Sequence, residues 1–222
     1  MLTPAPRLPP RFFSRNAAAV ARALLGQVLV RVLDDDRRLA GRIVETEAYL
    51  GTADRAAHSH GGRRTTRNES MWGEAGRAYV YFVYGMHYCM NVVTEGPGRP
   101  SAVLLRALEP LEGLEFMRVR RAGPRPHASV RDVDLCSGPA KLAEALAIDR
   151  GLDGADLVTG DVLFLEAGRQ FASSEVIATP RIGVGYAGEW ADKPLRFLLA
   201  GNPHVSRPGA ARVRTGLTQL HS

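Results

Sequence analysis

The run from Tyr79 to Thr94 constrains the fold more than any other part of this chain. Tyr79-Val80-Tyr81-Phe82-Val83-Tyr84 is aromatic or β-branched at every position, Gly85 interrupts it, and Cys89-Met90-Asn91-Val92-Val93-Thr94 resumes it. Such residues fit a pleated surface, and a glycine between two such runs marks a tight turn, so the segment predicts two antiparallel strands in a hairpin. Four of the six tyrosines and five of the fifteen aromatic residues fall between Tyr79 and Tyr88. Tyr84, beside Gly85-Met86, stands at the turn, where an aromatic ring is disfavoured by water unless something flat or apolar docks on it.

The charge balance suggests which flat partner. The net charge is +6, and all but Lys141 and Lys193 of the 29 basic residues are arginine. A planar guanidinium holds two phosphate oxygens at once, which favours a polyanionic partner and makes a nucleobase the expected flat surface. A GC-rich coding sequence would enrich arginine as well, so composition alone leaves both causes open.

A chain of 222 residues can bury one sizeable core, and a single domain is expected over 1–222. Proline-rich residues 1–10 and the basic stretch from about 207 to 222 read as flexible tails. The N-terminus lacks the apolar core of a signal peptide, and no apolar run approaches the roughly eighteen residues of a membrane span. Cys89 and Cys136 show no pairing pattern and read as free structural thiols, which fits a reducing, cytoplasmic setting (nucleoid-associated in a bacterium, nuclear in a eukaryote). Two distant cysteines and six scattered histidines give no metal-ligand spacing.

Along the chain, Ala17 to Leu25 reads as a helix capped by Ser14 or Asn16 and ended by Gly26. Val28 to Leu33 and Leu39 to Tyr49 read as a hairpin about Asp34 to Arg38. Residues 51–76 are poor in apolar side chains and form a long loop of functional or disordered character. Ser101 to Leu108 reads as a strand, Leu111 to Arg121 as a helix, Gly123 to Val130 as a second loop, and Ser137 to Leu146 as a helix. Val162 to Leu165, Arg181 to Gly185 and Leu195 to Leu199 are strand candidates. The expected architecture is of the α+β type, a mainly antiparallel curved sheet surrounded by helices, with a protruding β-hairpin.

Strand alternation puts Glu45 and Glu47 on one side of their strand with Tyr49 beyond them. A carboxylate at a strand end beside aromatics can hold a water and take its proton, whereas the plain alternative is two solvated glutamates on an edge. Arg106 lies between Leu105 and Ala107 in an apolar strand and needs a partner, either a structural ion pair or a group in a site. Asn91 interrupts a sheet-forming run and reads equally as a satisfied core amide or a pocket residue. His58 and His60 sit in the arginine-rich loop as polar contacts, acid–base groups or surface residues. Gly183-Val184-Gly185-Tyr186-Ala187-Gly188 matches the dinucleotide-binding glycine pattern, but Glu189 to Pro194 cannot open the long helix that pattern requires, and no acidic residue follows at the ribose-binding distance.

Together these pieces resemble the alkyladenine (3-methyladenine) DNA glycosylase family. The resemblance is carried by Arg42 to Gly51, Ala56 to Ser59, Tyr79 to Asn91, Leu104 to Pro110, Cys136 to Pro139 with Lys141, Arg181 to Trp190 and Lys193 to Phe197. These blocks run in order through residues 12 to about 206. The resemblance implies a monofunctional hydrolase that flips alkylated or deaminated purines out of double-stranded DNA and cuts the N-glycosidic bond, leaving an abasic site. It matches Glu47 to the general base that activates water, with Arg106 and the backbone carbonyl of Ile182 helping to hold that water. Tyr49 and Tyr81 match the aromatics around the extruded base, His58 a contact to its six-position edge, and Asn91 the residue that crowds guanine's amino group. Tyr84 matches the wedge in the stack, with Met86 and His87 beside it, and Lys141 a backbone phosphate anchor for which a structural helix cap is an equal alternative. No cofactor or metal is implied, because the leaving base is already activated by alkylation or can be protonated, and a monomer is expected. A noncatalytic binder of damaged DNA has no use for both Glu47 and Arg106. A small-molecule nucleosidase has none for the intercalating hairpin.

Overall fold

The hairpin forms where the sequence places it. In the computed structural model, which describes residues 5–123 and 130–206, β3 (Ala78–Val83) pairs antiparallel with β4 (His87–Gly96) from Ala78↔Val92 to Val83↔His87. Tyr84, Gly85 and Met86 connect the strands; the Met86 amide donates to the Val83 carbonyl at 3.3 Å, and the two central residues of that turn, Tyr84 and Gly85, have φ of 54° and 68°. Paired positive φ values match the twist of the flanking strands, and Asn-Gly is the usual occupant. Glycine adopts the left-handed region freely, but for tyrosine it costs roughly 1–2 kcal/mol. Turn chemistry therefore does not account for Tyr84, whose side chain stands out at 85% exposure with Met86 at 69%.

The remaining strands are β1 (Val28–Val32), β2 (Arg38–Tyr49), β5 (Arg99–Glu112), β6 (Leu163–Glu166), β7 (Val176–Thr179) and β8 (Arg196–Leu199). All eight belong to one sheet of order β3-β4-β5-β2-β1-β6, with β8 joined to β2 and β7 to β8. Every strand pairing is antiparallel. Helices α1 (Pro10–Phe13), α2 (Ala17–Leu24), α3 (Leu114–Ala122), α4 (Asp132–Leu135) and α5 (Pro139–Ala145) complete the mixed α+β fold. Strand β2 is the axis. It pairs with β5 along its length, with β1 over Arg38 to Arg42 and with β8 over Glu45 to Glu47. Its register against β5 shifts between Ile43 and Thr46, and irregularities of this kind bend a strand and curve its sheet.

This curvature separates two faces. The Thr46 hydroxyl donates to the Ala21 carbonyl of α2 at 2.9 Å, so the helix covers that face, where Val20, Ala21 and Leu24 are fully buried. Asn16, not Ser14, caps α2 by accepting from the Ala18 amide. Glu45 and Glu47 point the other way, into the site.

Several sequence expectations are corrected. Residues 5–10 of the expected N-terminal tail pack on the sheet: Leu8 is buried and its amide donates to the Leu165 carbonyl, while the Ala167 amide donates to Pro6. The expected tails at residues 1–4 and 207–222, and residues 124–129 of the second loop, lie outside the described residues. Leu111 belongs to β5 rather than a helix, because pairing with β2 continues to Glu112. Helix α3 begins only after Gly113, whose φ of 77° and contact with Leu39 suit no side chain. Arg181 to Gly185 is not a strand, since Gly183 has φ 74° and the Ile182 amide donates to a side chain instead of a ladder. Short 3-10 turns at Gly51–Ala53, His60–Gly62 and Glu69–Trp72 punctuate the long loop. Strand β7 is an addition. Among the described residues no helix is long and apolar enough to cross a membrane.

Candidate active site

Both glutamates of β2 are fully buried, which overturns the solvated-edge alternative. Arg106 on β5 lies between them. Its Nε donates to Glu45 Oε1 at 2.9 Å, and its Nη1 is 3.3 Å from Glu47 Oε1. The two carboxylates differ in what else they hold. Glu45 Oε1 also accepts from Arg196 Nε (2.7 Å) and Ser206 Oγ (2.8 Å), and its Oε2 accepts from the Ser206 amide (2.6 Å). Glu47 accepts from the Ile182 amide on Oε1 (2.8 Å) and from the Tyr49 hydroxyl on Oε2 (2.9 Å). Glu45 is saturated by cationic and polar donors, whereas Glu47 keeps acceptor capacity. The hydroxyl of Tyr49 stays protonated, its pKa raised well above the usual range by burial first and by the Glu47 carboxylate second.

The two donors to Glu47, Tyr49 and Ile182, line a cavity of about 210 Å³ together with His58, Tyr81, Tyr84 and Asn91. Six residues expected from four separate stretches of sequence thus meet at one opening. The hairpin supplies Tyr81 and Asn91, β2 supplies Tyr49, and the glycine-containing turn after Arg181 brings Ile182 across. Asn91 fits both of its readings, since its Nδ2 donates to the Tyr79 carbonyl at 3.1 Å while the residue lines the cavity. Met86 and His87 lie at the tip beyond the cavity. Lys141 is not in it: its Nζ donates to Ser137 Oγ, and it borders a neighbouring concavity of about 260 Å³ with Arg106 and Ile182.

Tyr79, Arg67, Met71 and Tyr186 line the same cavity and were not singled out from sequence. Period-2 spacing carried the signal for Tyr79, whose ring stacks on Tyr81 at 5.2 Å. No sequence signal marks Arg67, whose guanidinium sits 5.2 Å from the Tyr81 ring centroid. Also missed is the fully buried pair of Arg181 and Asp54. Arg181 Nη1 donates to Asp54 Oδ2 at 2.5 Å and Nη2 to Oδ1 at 2.9 Å. The same guanidinium lies 4.7 Å from the centroid of Tyr49, the ring over Glu47.

His58 packs edge-on against Tyr81, and its Nδ1 is 2.9 Å from the Tyr79 hydroxyl. Burial, with Arg67 and Arg63 nearby, lowers its pKa from 6.5 to about 4, so the ring is neutral at neutral pH. The unfolded chain takes up this proton near 6.5 and the folded chain only near 4. Between those values the unfolded state binds more protons, so stability falls as pH drops below about 6.5, and this contribution levels off below about 4. Urea unfolding at pH 7 and pH 4.5 should show a smaller acid-induced loss in His58→Gln than in wild type. An identical loss in both would contradict a depressed His58.

Comparison with known proteins bears on this arrangement. A family model described as Methylpurine-DNA glycosylase (MPG) matches residues 11–203. The chain is 55% identical over 205 residues to the DNA-3-methyladenine glycosylase of Mus musculus, an alignment covering 90% of this chain and 61% of that protein. It is 53% identical to the Homo sapiens DNA-3-methyladenine glycosylase, covering 90% and 68%. A putative 3-methyladenine DNA glycosylase of Methanocella arvoryzae is 48% identical, covering 91% and 96%. The chain thus spans 61% of the mouse relative but nearly all of the archaeal one.

Proposed function

The chain belongs to the methylpurine-DNA glycosylase family, and on that premise we propose that it is a monofunctional DNA-3-methyladenine glycosylase of base-excision repair, acting on alkylated and deaminated purines in double-stranded DNA. One observation carries the chemistry. Tyr49 lines the cavity and its hydroxyl donates to the buried Glu47 carboxylate, so the pocket for a base and the candidate general base are joined through one side chain.

The nucleotide is rotated out of the stack, and Tyr84 enters the gap with Met86 and His87 flanking it. The extruded purine lies between Tyr49 and Tyr81, whose electron-rich faces suit a cationic alkylated base. His58 meets the six-position edge, and Asn91 crowds the amino group of normal guanine. Glu47 accepts a proton from a water held with the help of Arg106 and the Ile182 carbonyl. The water oxygen bonds to the sugar C1′ as the glycosidic bond breaks, and the bonding pair leaves with the base. A 3-methyladenine cation departs neutral, whereas a neutral purine such as hypoxanthine takes up a proton from water as it leaves. Lys141 holds a backbone phosphate. Neither lysine lines the base cavity, and Lys193 sits over the Trp190 ring at 3.3 Å, which supports a water nucleophile over an amine.

Incubation with a duplex carrying one hypoxanthine or ethenoadenine should give strand breaks only after alkali. Absence of alkali-labile sites would sink the assignment, and breaks without alkali would sink its monofunctional part. Tyr84→Asn isolates the wedge. It installs the Asn-Gly pair this turn prefers, so thermal stability should hold or rise, while affinity for lesion duplex falls roughly tenfold or more with loss of the stacking ring. Unchanged affinity would remove Tyr84 from the wedge role.

A further inference from the structure

Glu45 has no chemical step in the reading above, yet one of the groups that saturate it, Ser206, also holds Arg106. Ser206 Oγ donates to Glu45 Oε1 at 2.8 Å and accepts from Arg106 Nη2 at 3.3 Å, while its backbone amide donates to Glu45 Oε2. Arg106 Nε donates to Glu45 as well. Two nitrogens of the guanidinium, Nε and Nη2, are therefore tied to Glu45 and Ser206, and Nη1 remains directed at Glu47. All three side chains are buried, so water does not substitute readily for a lost partner. The aim of Arg106 is set by a serine 100 residues further along, in the segment after β8.

We propose that Ser206, acting with Glu45, is a positioning residue for Arg106, and that β2 carries two carboxylates with divided roles, a reacting one at Glu47 and an unreactive anchor at Glu45. The proposal rests on the glycosylase reading. It assigns Ser206 an effect on the rate of base release and none on lesion binding, because Ser206 lines the concavity beside the base cavity rather than the base cavity itself.

Ser206→Ala removes the hydroxyl while leaving the amide bond to Glu45, so the segment stays anchored. Single-turnover release of hypoxanthine should slow roughly tenfold, the effect of losing a hydrogen bond to a charged group. Lesion-duplex Kd should be unchanged, while the thermal midpoint falls by roughly 3–12 °C and the chain stays folded at the assay temperature. Ser206→Thr keeps the hydroxyl, and the adjoining concavity has room for its methyl, so it should recover most of the rate. A rate in Ser206→Ala within twofold of wild type overturns the proposal. So does a loss that threonine fails to recover, or one matched by an equal loss of affinity. Wild-type protein that releases no base would instead refute the glycosylase reading.

Discussion

Glu47→Gln is expected to bind a lesion duplex about as well as wild type while releasing the base roughly 10²–10⁴-fold more slowly, the usual contribution of a positioned general base. Glutamine fits the site without rebuilding it. Its carbonyl can accept from the Ile182 amide, and its amino group can face Tyr49, whose hydroxyl can turn from donor to acceptor. What glutamine cannot do is take a proton from water. Single-turnover release and a binding isotherm on the same ethenoadenine duplex separate the two effects. Release at the wild-type rate would make the general-base assignment wrong. The cluster pairs two carboxylates with the Arg106 and Arg196 guanidiniums, so removing one negative charge should lower the melting temperature somewhat, without unfolding the chain.

Asp54→Ala carries the largest expected cost in stability. The side chains of Arg181 and Asp54 are both fully inaccessible, and Asp54 also accepts from the Leu50 and Ala56 amides. Removing the carboxylate leaves a buried guanidinium without its countercharge and two amides without acceptors. Breaking one side of such a pair costs roughly 3–5 kcal/mol, which in a domain of this size lowers the melting temperature by roughly 6–20 °C. The double change Asp54→Leu, Arg181→Leu should recover part of that loss, since an apolar pair leaves no charge stranded. A shift under 2 °C in Asp54→Ala would show that the pair contributes little. Base release should suffer too, because Arg181 stacks on Tyr49 and directly precedes Ile182, both donors to Glu47.

Most strands could be read locally because β-branched and aromatic runs bounded by turn residues specify them within a few positions. The hairpin, β2 and the body of β5 are of this kind. Misreadings fell where a distant partner overrides local preference. Leu111 looked helical but pairs across the sheet, and the residues after Arg181 looked extended but spend a backbone amide on Glu47. The candidate site was legible in its aromatics and in Glu47, because alternation places Glu45, Glu47 and Tyr49 on one side. Asp54 was silent: an acidic residue in a polar loop carries no mark of the buried arginine 127 residues away that it neutralises.

A tyrosine at the tip of a hairpin and two carboxylates on one face of a strand both follow from spacing along a few residues, and so can be read before any folding is known. Which of the two carboxylates is available depends on contacts that form when the chain folds. Glu45 is filled by donors from Arg196 and Ser206, 151 and 161 residues away, while Glu47 is held by two residues that line the cavity, Tyr49 and Ile182, and keeps acceptor capacity to spare. Alternation sets the direction of a side chain, but its reactivity depends on which donors the fold brings to its oxygens, and that pairing is long-range.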